Sequence, residues 1–135
     1  MNEKKLVILK GALPPANPLS PALIYENLVF ISGQTSRDLI TREPLLGDIK
    51  QETEQVINNI QQLLEAAGSS LDCVLKTTVY ITDKSYSDEM NKIYEAKFPG
   101  PVRPARSTIV TAKVGDAKIE IEAIGYIPKE KNQAE

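Results

Sequence analysis

Between Asp48 and Gly68 large aliphatic side chains recur at helical spacing: Ile49, Val56, Ile57, Ile60, Leu63 and Leu64, extended by Ala67. Glutamate, glutamine, asparagine and lysine fill the positions between them, so the predicted helix is apolar along one stripe and polar elsewhere. Asp48 suits the N-cap, where a short carboxylate accepts from otherwise unpaired amides, and Gly68 suits the stop. Such a helix does not hold alone in water; ordering its backbone must be offset by laying the stripe on another apolar surface. The rest of the chain has to supply that surface, and its β-branched runs point to a sheet.

Leu6 to Leu9 reads as a short strand. Ala22–Tyr25 and Leu28–Ser32 flank Glu26-Asn27, a two-residue hairpin turn. Both arms are apolar on both faces, so each face is covered within one chain or one face is covered by another copy. Cys73 to Thr82 is a further strand, with Leu75, Val79 and Ile81 expected on one face and Lys76, Thr78 and Tyr80 on the other. Asp83 is expected to cap a second helix running to about Lys97, with Met90, Ile93, Tyr94 and Phe98 as its buried edge and Asn91 beside it. Pro99-Gly100-Pro101 ends that helix. This order predicts an α+β sandwich with two helices on one face of the sheet. The other face is expected to carry Tyr80, Val110, Ile124 and Tyr126 among Thr78, Arg106, Thr108, Glu120 and Glu122. That mixture is too apolar for water and too charged for a plain core, and a homo-oligomer with this face at the interface resolves the conflict.

Lys118 to Ile124 alternates strictly, placing Lys118, Glu120 and Glu122 on one face and Ile119, Ile121 and Ala123 on the other. Before it, Arg103-Pro104-Ala105-Arg106-Ser107-Thr108-Ile109-Val110 is a proline-stiffened turn that delivers an arginine to the start of a strand. If these two strands are neighbours, a cation and a carboxylate project from one sheet face, which outlines a small-molecule site. A guanidinium grips a carboxylate bidentately and stays charged at any usable pH. Arg106 is the first candidate and Arg103 its rival; spacing does not decide between them, and either can be a plain surface charge. A carboxylate in a partly apolar cleft can hold or protonate a water, which suits Glu120 or Glu122, whereas a solvated ladder with Lys76 or Lys118 is the structural alternative. The prolines of Gly11–Pro21 hold that segment extended, as a connector or as a loop facing a ligand. Gly33 marks either a bulge or a point where the backbone approaches a ligand closely.

Other features narrow the function. The chain has 135 residues, the size of one domain, with Lys129–Glu135 reading as a solvated tail. A formal charge of -2 lacks the basic footprint of a nucleic-acid binder. There is no histidine, so the commonest general base and metal ligand is missing, and no phosphate-binding glycine loop or metal constellation is present. Cys73 is the single cysteine and reads as a small apolar filler, which suits a reducing compartment. The N-terminal segment falls short of a signal-peptide core or a membrane span, so a cytoplasmic protein is expected.

At these residues the chain resembles the RidA/YjgF family of enamine/imine deaminases. The resemblance is carried by Asn27–Gln34, Gln55–Ile60 with Glu65–Gly68, Val74–Ile81, Asn91 with Tyr94-Glu95, Pro104–Thr108 and Ile119–Ile124, in order and at compatible spacing. It implies a chorismate-mutase-like fold with a mixed β-sheet, assembled as a homotrimer with clefts between subunits. It also implies cofactor-free and metal-free hydrolysis of imines such as 2-aminoacrylate to 2-keto acids and ammonia. Arg106 falls on the family's carboxylate-gripping arginine and Glu120 on its water-orienting glutamate. Ser32, Gly33, Asn91 and the backbone at Thr108 fall on ligand-lining positions. The sequence departs at Leu19, where many members carry tyrosine, and at Thr108, often cysteine. The alternatives are a non-catalytic module that binds small carboxylates or 2-keto acids, and an RNA-directed activity, against which the acidic balance and missing histidine argue.

Overall fold

The computed structural model describes residues 3–129, so all of the predicted tail except the exposed Lys129 lies outside the described residues. The elements follow in the order β1 (Lys5–Leu6), β2 (Ala22–Tyr25), β3 (Leu28–Gln34), α1 (Ile49–Ala66), β4 (Val74–Ile81), α2 (Ser87–Lys97), β5 (Ala105–Val110) and β6 (Ile119–Tyr126). The strands form one sheet ordered β1-β2-β3-β6-β4-β5. Every pairing is antiparallel except β4 with β5, which α2 joins as a parallel crossover. The mixed α+β architecture expected from the sequence is therefore present.

The aliphatic stripe of α1 does what its spacing dictates. Ile49, Val56, Ile57, Ile60, Leu63 and Leu64 are all buried, in one cluster with Val29 and Ile31 of β3, Val79 and Ile81 of β4, and Ile119, Ile121 and Ala123 of β6. Asp48 accepts from the Gln51 amide at 2.8 Å while the Gln51 side chain accepts from the Asp48 amide at 2.9 Å, a reciprocal capping box. Met90, Tyr94 and Phe98 bring α2 onto the same sheet face, and Lys97 latches it to Glu54 of α1 at 2.8 Å. The start of the second helix differs from expectation. Asp83 caps a 3-10 turn over Lys84–Tyr86, accepting from the Ser85 amide at 2.9 Å, and α2 begins only at Ser87.

Three polar residues inside α1, Glu52, Thr53 and Asn59, are buried against the periodicity argument, and Thr53 is satisfied locally by donating to the Ile49 carbonyl at 2.7 Å. Glu52 is fully buried; its Oε1 accepts from the Lys118 amide at 2.8 Å and its Oε2 from the Gly47 amide at 3.1 Å, with Lys118 Nζ 3.7 Å away. The helix is thereby tied to the first residue before β6. Glu52→Ala would strand both amides and the lysine, and is expected to cost about 3–5 kcal/mol in urea or thermal unfolding. An effect below about 1 kcal/mol would show the tie to be idle. Asn59, also fully buried, is held by Gln55 and donates to the Arg37 carbonyl at 2.9 Å, anchoring the loop that follows β3.

Three details of the strand reading are corrected. Only Lys5–Leu6 of the first apolar run forms a ladder, although Val7 still donates to the Ala22 carbonyl at 3.1 Å. A register shift between Val74 and Lys76 turns Leu75 outward, so the buried row of β4 is Thr77, Val79 and Ile81. Strand β5 does not adjoin β6; β4 lies between them.

Candidate functional site

Gly33 sits where the register of β3 against β6 shifts between Ile31 and Gln34, which is the bulge. The Glu120 side chain lies directly across it: a Cβ on Gly33 would overlap the carboxylate and come within 2.7 Å of the carboxyl carbon. A cavity of about 690 Å³ opens here, with Ser32, Gly33, Leu19 and Glu120 on its wall. Ser32 holds the proline-rich segment against it, its hydroxyl donating to the Ser20 carbonyl at 2.6 Å and its amide to the Pro21 carbonyl at 3.0 Å. That segment is thus a wall of the cavity and not only a connector, and Leu19 presents a half-exposed apolar side chain where a phenol is expected.

The Glu120 carboxylate forms no hydrogen bond or ion pair with the described residues. Burial, and secondarily the nearby Glu122 carboxylate, pushes its pKa above the ordinary carboxylate range. Neither proposed lysine partner neutralises it. Lys118 turns to Glu52 and the Gly47 carbonyl, and Lys76 to the Thr77 carbonyl. Glu122 differs: it is exposed and accepts from the Tyr80 hydroxyl at 3.3 Å.

Arg106 is elsewhere. Strand β5 pairs with β4 in the register Thr77 with Arg106 and Val79 with Thr108, so both residues follow the helix-facing row of the sheet. Glu120 pairs with Tyr80 on the opposite face. The expectation that Arg106, Thr108 and Val110 share a face with Glu120 is therefore wrong for one chain. It followed from assuming that β5 and β6 are neighbours, and the parallel register against the intervening β4 reverses it.

The register gives Arg106 a prepared seat. Its Nη1 donates to Asn91 Oδ1 at 2.8 Å, Met90 Sδ lies at 4.0 Å, and the guanidinium carbon stands 4.8 Å from the centre of the Tyr94 ring. The Tyr94 hydroxyl is itself tied to Thr77 at 2.7 Å. No carboxylate among the described residues pairs with Arg106, and the rest of its fork is open. Arg103, the rival, donates to the Phe98 carbonyl at 2.7 Å and lies 3.9 Å from Glu95. It staples the turn, whereas Arg106 is presented. Asn91 acts here by orienting Arg106. Tyr94 was missed as a site residue, although Met90, Asn91 and Tyr94 at helical spacing already placed a small platform on one edge of α2.

One chain thus carries two incomplete halves on opposite faces: a carboxylate in a cavity and a guanidinium on an exposed edge strand. The open sheet face between the flanking strands carries Phe30, Ile124, Tyr126, Tyr80 and Ile109, none of them fully buried. The endoribonuclease L-PSP family model matches residues 9–127. The chain belongs to the RidA/YjgF family. A RutC family protein of Pyrococcus horikoshii is 42% identical over 124 residues, spanning 91% of this chain and 98% of that one. The 2-iminobutanoate/2-iminopropanoate deaminase of Dermatophagoides farinae is 31% identical over 128 residues, spanning 94% and 99%. Among solved structures, the YjgF gene product of Escherichia coli superposes with a TM-score of 0.82 at 31% identity, covering 90% of this chain and 98% of that one. Membership extends over both halves, including the 18–21 segment and the β5 edge.

The close fit at Gly33 gives a RidA/YjgF chain of this kind a sensitive point. Gly33→Ala leaves an ordinary extended backbone but drives the end of Glu120 aside. It is expected to cost less than about 1 kcal/mol of stability. Any activity that depends on the Glu120 carboxylate should nevertheless fall on the order of 100-fold through its displacement. Parallel unfolding and turnover measurements check this, and equal losses in both would mean that Gly33 matters only to the strand.

Proposed function

We propose that this chain is an enamine/imine deaminase that works without a cofactor, hydrolysing 2-aminoacrylate-type imines to 2-keto acids and ammonia. In this reading it acts as a homotrimer, with Arg106 of one copy brought to the Glu120 cavity of another. The observation that carries the reading is the pair of unsatisfied halves: an exposed, oriented guanidinium without a carboxylate on one face, and a half-buried carboxylate without a donor on the other. The uncovered apolar sheet face supports association, and the relative named a 2-iminobutanoate/2-iminopropanoate deaminase supports the reaction.

The chemistry needs few groups. An enamine first takes a proton at its terminal carbon and becomes the imine. Arg106 grips the substrate carboxylate and so fixes the adjacent imine carbon. Glu120, ionised, accepts a hydrogen bond from a water and aims its oxygen at that carbon. As the C–O bond forms, the water proton passes by way of Glu120 to the nitrogen and gives a carbinolamine. Collapse of that species breaks the C–N bond, releases ammonia and leaves the 2-keto acid. The raised pKa of Glu120 brings it nearer neutrality, which suits a group that both accepts and returns a proton.

The test is direct. Freshly generated 2-aminoacrylate should yield pyruvate and ammonia faster with the protein than without it, and sedimentation should give the mass of three copies. Stabilisation by 2-keto acids without any acceleration would replace the deaminase reading with that of a binding module.

A further inference from the structure

The cavity beside Glu120, about 690 Å³, is larger than a three-carbon imine requires, and two arginines line it. Arg37 and Arg42 line it together with Glu120. Both belong to the loop between β3 and α1, a stiff segment. The fully buried Asn59 donates to the Arg37 carbonyl at 2.9 Å, the buried Ser36 hydroxyl donates to the Leu45 carbonyl at 2.6 Å, and the Asp38 carboxylate accepts from the Ile40 and Thr41 amides at 2.8 and 2.9 Å. Each guanidinium is anchored by part of its fork. Arg37 donates through Nε to Thr35 Oγ1 and through Nη1 to the Arg42 carbonyl, both at 3.3 Å. Arg42 donates through Nε to the Leu13 carbonyl at 3.1 Å. The ion pairs among the described residues engage Lys97, Arg103 and Lys118, and neither cavity arginine pairs with a carboxylate. Asp116, a further carboxylate on the wall, is not within pairing distance of either.

Arg42 has a second peculiarity. Its φ is 68°, a left-handed conformation that glycine adopts at no cost and that an L side chain enters against steric strain. Two half-buried arginines, one of them on a strained backbone, line one cavity without a carboxylate in ion-pair contact with either. A cation so placed has lost part of its hydration and awaits an anion.

We infer that Arg37 and Arg42 form a second anion subsite that admits imines whose side chain ends in a carboxylate, the imines of acidic amino acids. This rests on the deaminase reading for the position of the reacting carbon. With the substrate carboxylate on Arg106 of another copy and the imine carbon at Glu120, the side chain runs into the remaining volume toward the two arginines. No new covalent step is involved; the subsite sets which side chain is held.

The inference is tested by paired substrates of equal carbon count, 2-iminoglutarate and 2-iminopentanoate, generated in situ from glutamate and norvaline by amino-acid oxidases. Arg42→Gly is the informative variant, because glycine suits the backbone at that φ, and Arg37→Gln is the independent second. Each should lower the ratio of kcat/KM for the diacid to that for the monoacid by at least about tenfold, the loss of one charge-assisted contact. An unchanged ratio in both variants overturns the subsite. A calorimetric arm stands apart from turnover: wild-type protein should bind 2-oxoglutarate more tightly than 2-oxopentanoate, with the preference lost in both variants. If neither imine is hydrolysed but that preference is found, the deaminase reading fails and the subsite stands. Equal wild-type affinities would sink the subsite whatever the turnover.

Discussion

Replacing Arg106 with alanine is expected to lower kcat/KM for 2-aminoacrylate hydrolysis by about 100- to 1,000-fold, the consequence of losing about 3–4 kcal/mol of charge-assisted contact to the substrate carboxylate. The fold should be indifferent. Arg106 is exposed on β5, and its partners are one oxygen of the exposed Asn91, the Met90 sulfur and the face of Tyr94, whose hydroxyl is independently tied to Thr77. Unfolding midpoints of variant and parent should agree within a few degrees, which separates this result from simple loss of structure. Arg106→Lys should recover only part of the activity, because an ammonium keeps the charge and loses the fork. Full activity in Arg106→Ala would remove this residue from the site.

Glu120→Gln is the second large effect, expected at about 100- to 10,000-fold in kcat, the range for removing a positioned acid–base group. Glutamine fills the same space across Gly33 but neither accepts nor returns a proton. A pH profile adds a discriminating readout. Because the pKa of Glu120 is raised, the acid limb of kcat/KM should lie above the ordinary carboxylate value, with activity increasing as the group ionises, and the limb should vanish in Glu120→Gln. Stability has the opposite sign. The folded state holds this proton more tightly than the unfolded state. The Glu120 contribution therefore falls as pH rises from the ordinary carboxylate value of 4.5 through its raised folded value, and the glutamine variant should lack that decline. Stability rising through that window on account of Glu120 would contradict the burial that sets its pKa.

The two variants together report on assembly. If each site takes its arginine from one copy and its glutamate from another, two inactive proteins mixed and reassembled at equal amounts should regain about a quarter of the parental sites. If both groups served one site within a single chain, mixing would restore nothing.

Much of the fold was legible in the sequence because side-chain periodicity reports burial. The α1 stripe, the Glu26-Asn27 turn and the alternation of Ile119, Ile121 and Ala123 all depend on one chain meeting one core. What periodicity does not carry is which strand lies beside which. The insertion of β4 between β5 and β6, with its parallel register, puts Arg106 and Glu120 on opposite faces, where the sequence pattern places them on one. Glu52 and Asn59 were invisible for a related reason. Both read as polar positions of an amphipathic helix, and their partners lie far along the chain, at Lys118 and at Arg37. Arg37 and Arg42 left no signal at all, since loop arginines are ordinarily solvated and only the shape of the wall distinguishes them. Of the two readings of Gly33 the bulge is present, and the side chain packed across it, Glu120, is one that local sequence does not indicate.

The placement of the two halves on opposite sheet faces has a consequence for inheritance. On the proposed assembly, a chain defective in one half still folds, still enters mixed complexes and disables a pocket that it does not wholly own. Working pockets would then equal the sound arginines present, so a substitution at Arg106 in one gene copy would act by simple dosage, whereas lesions in different halves carried by two gene copies would partly complement each other.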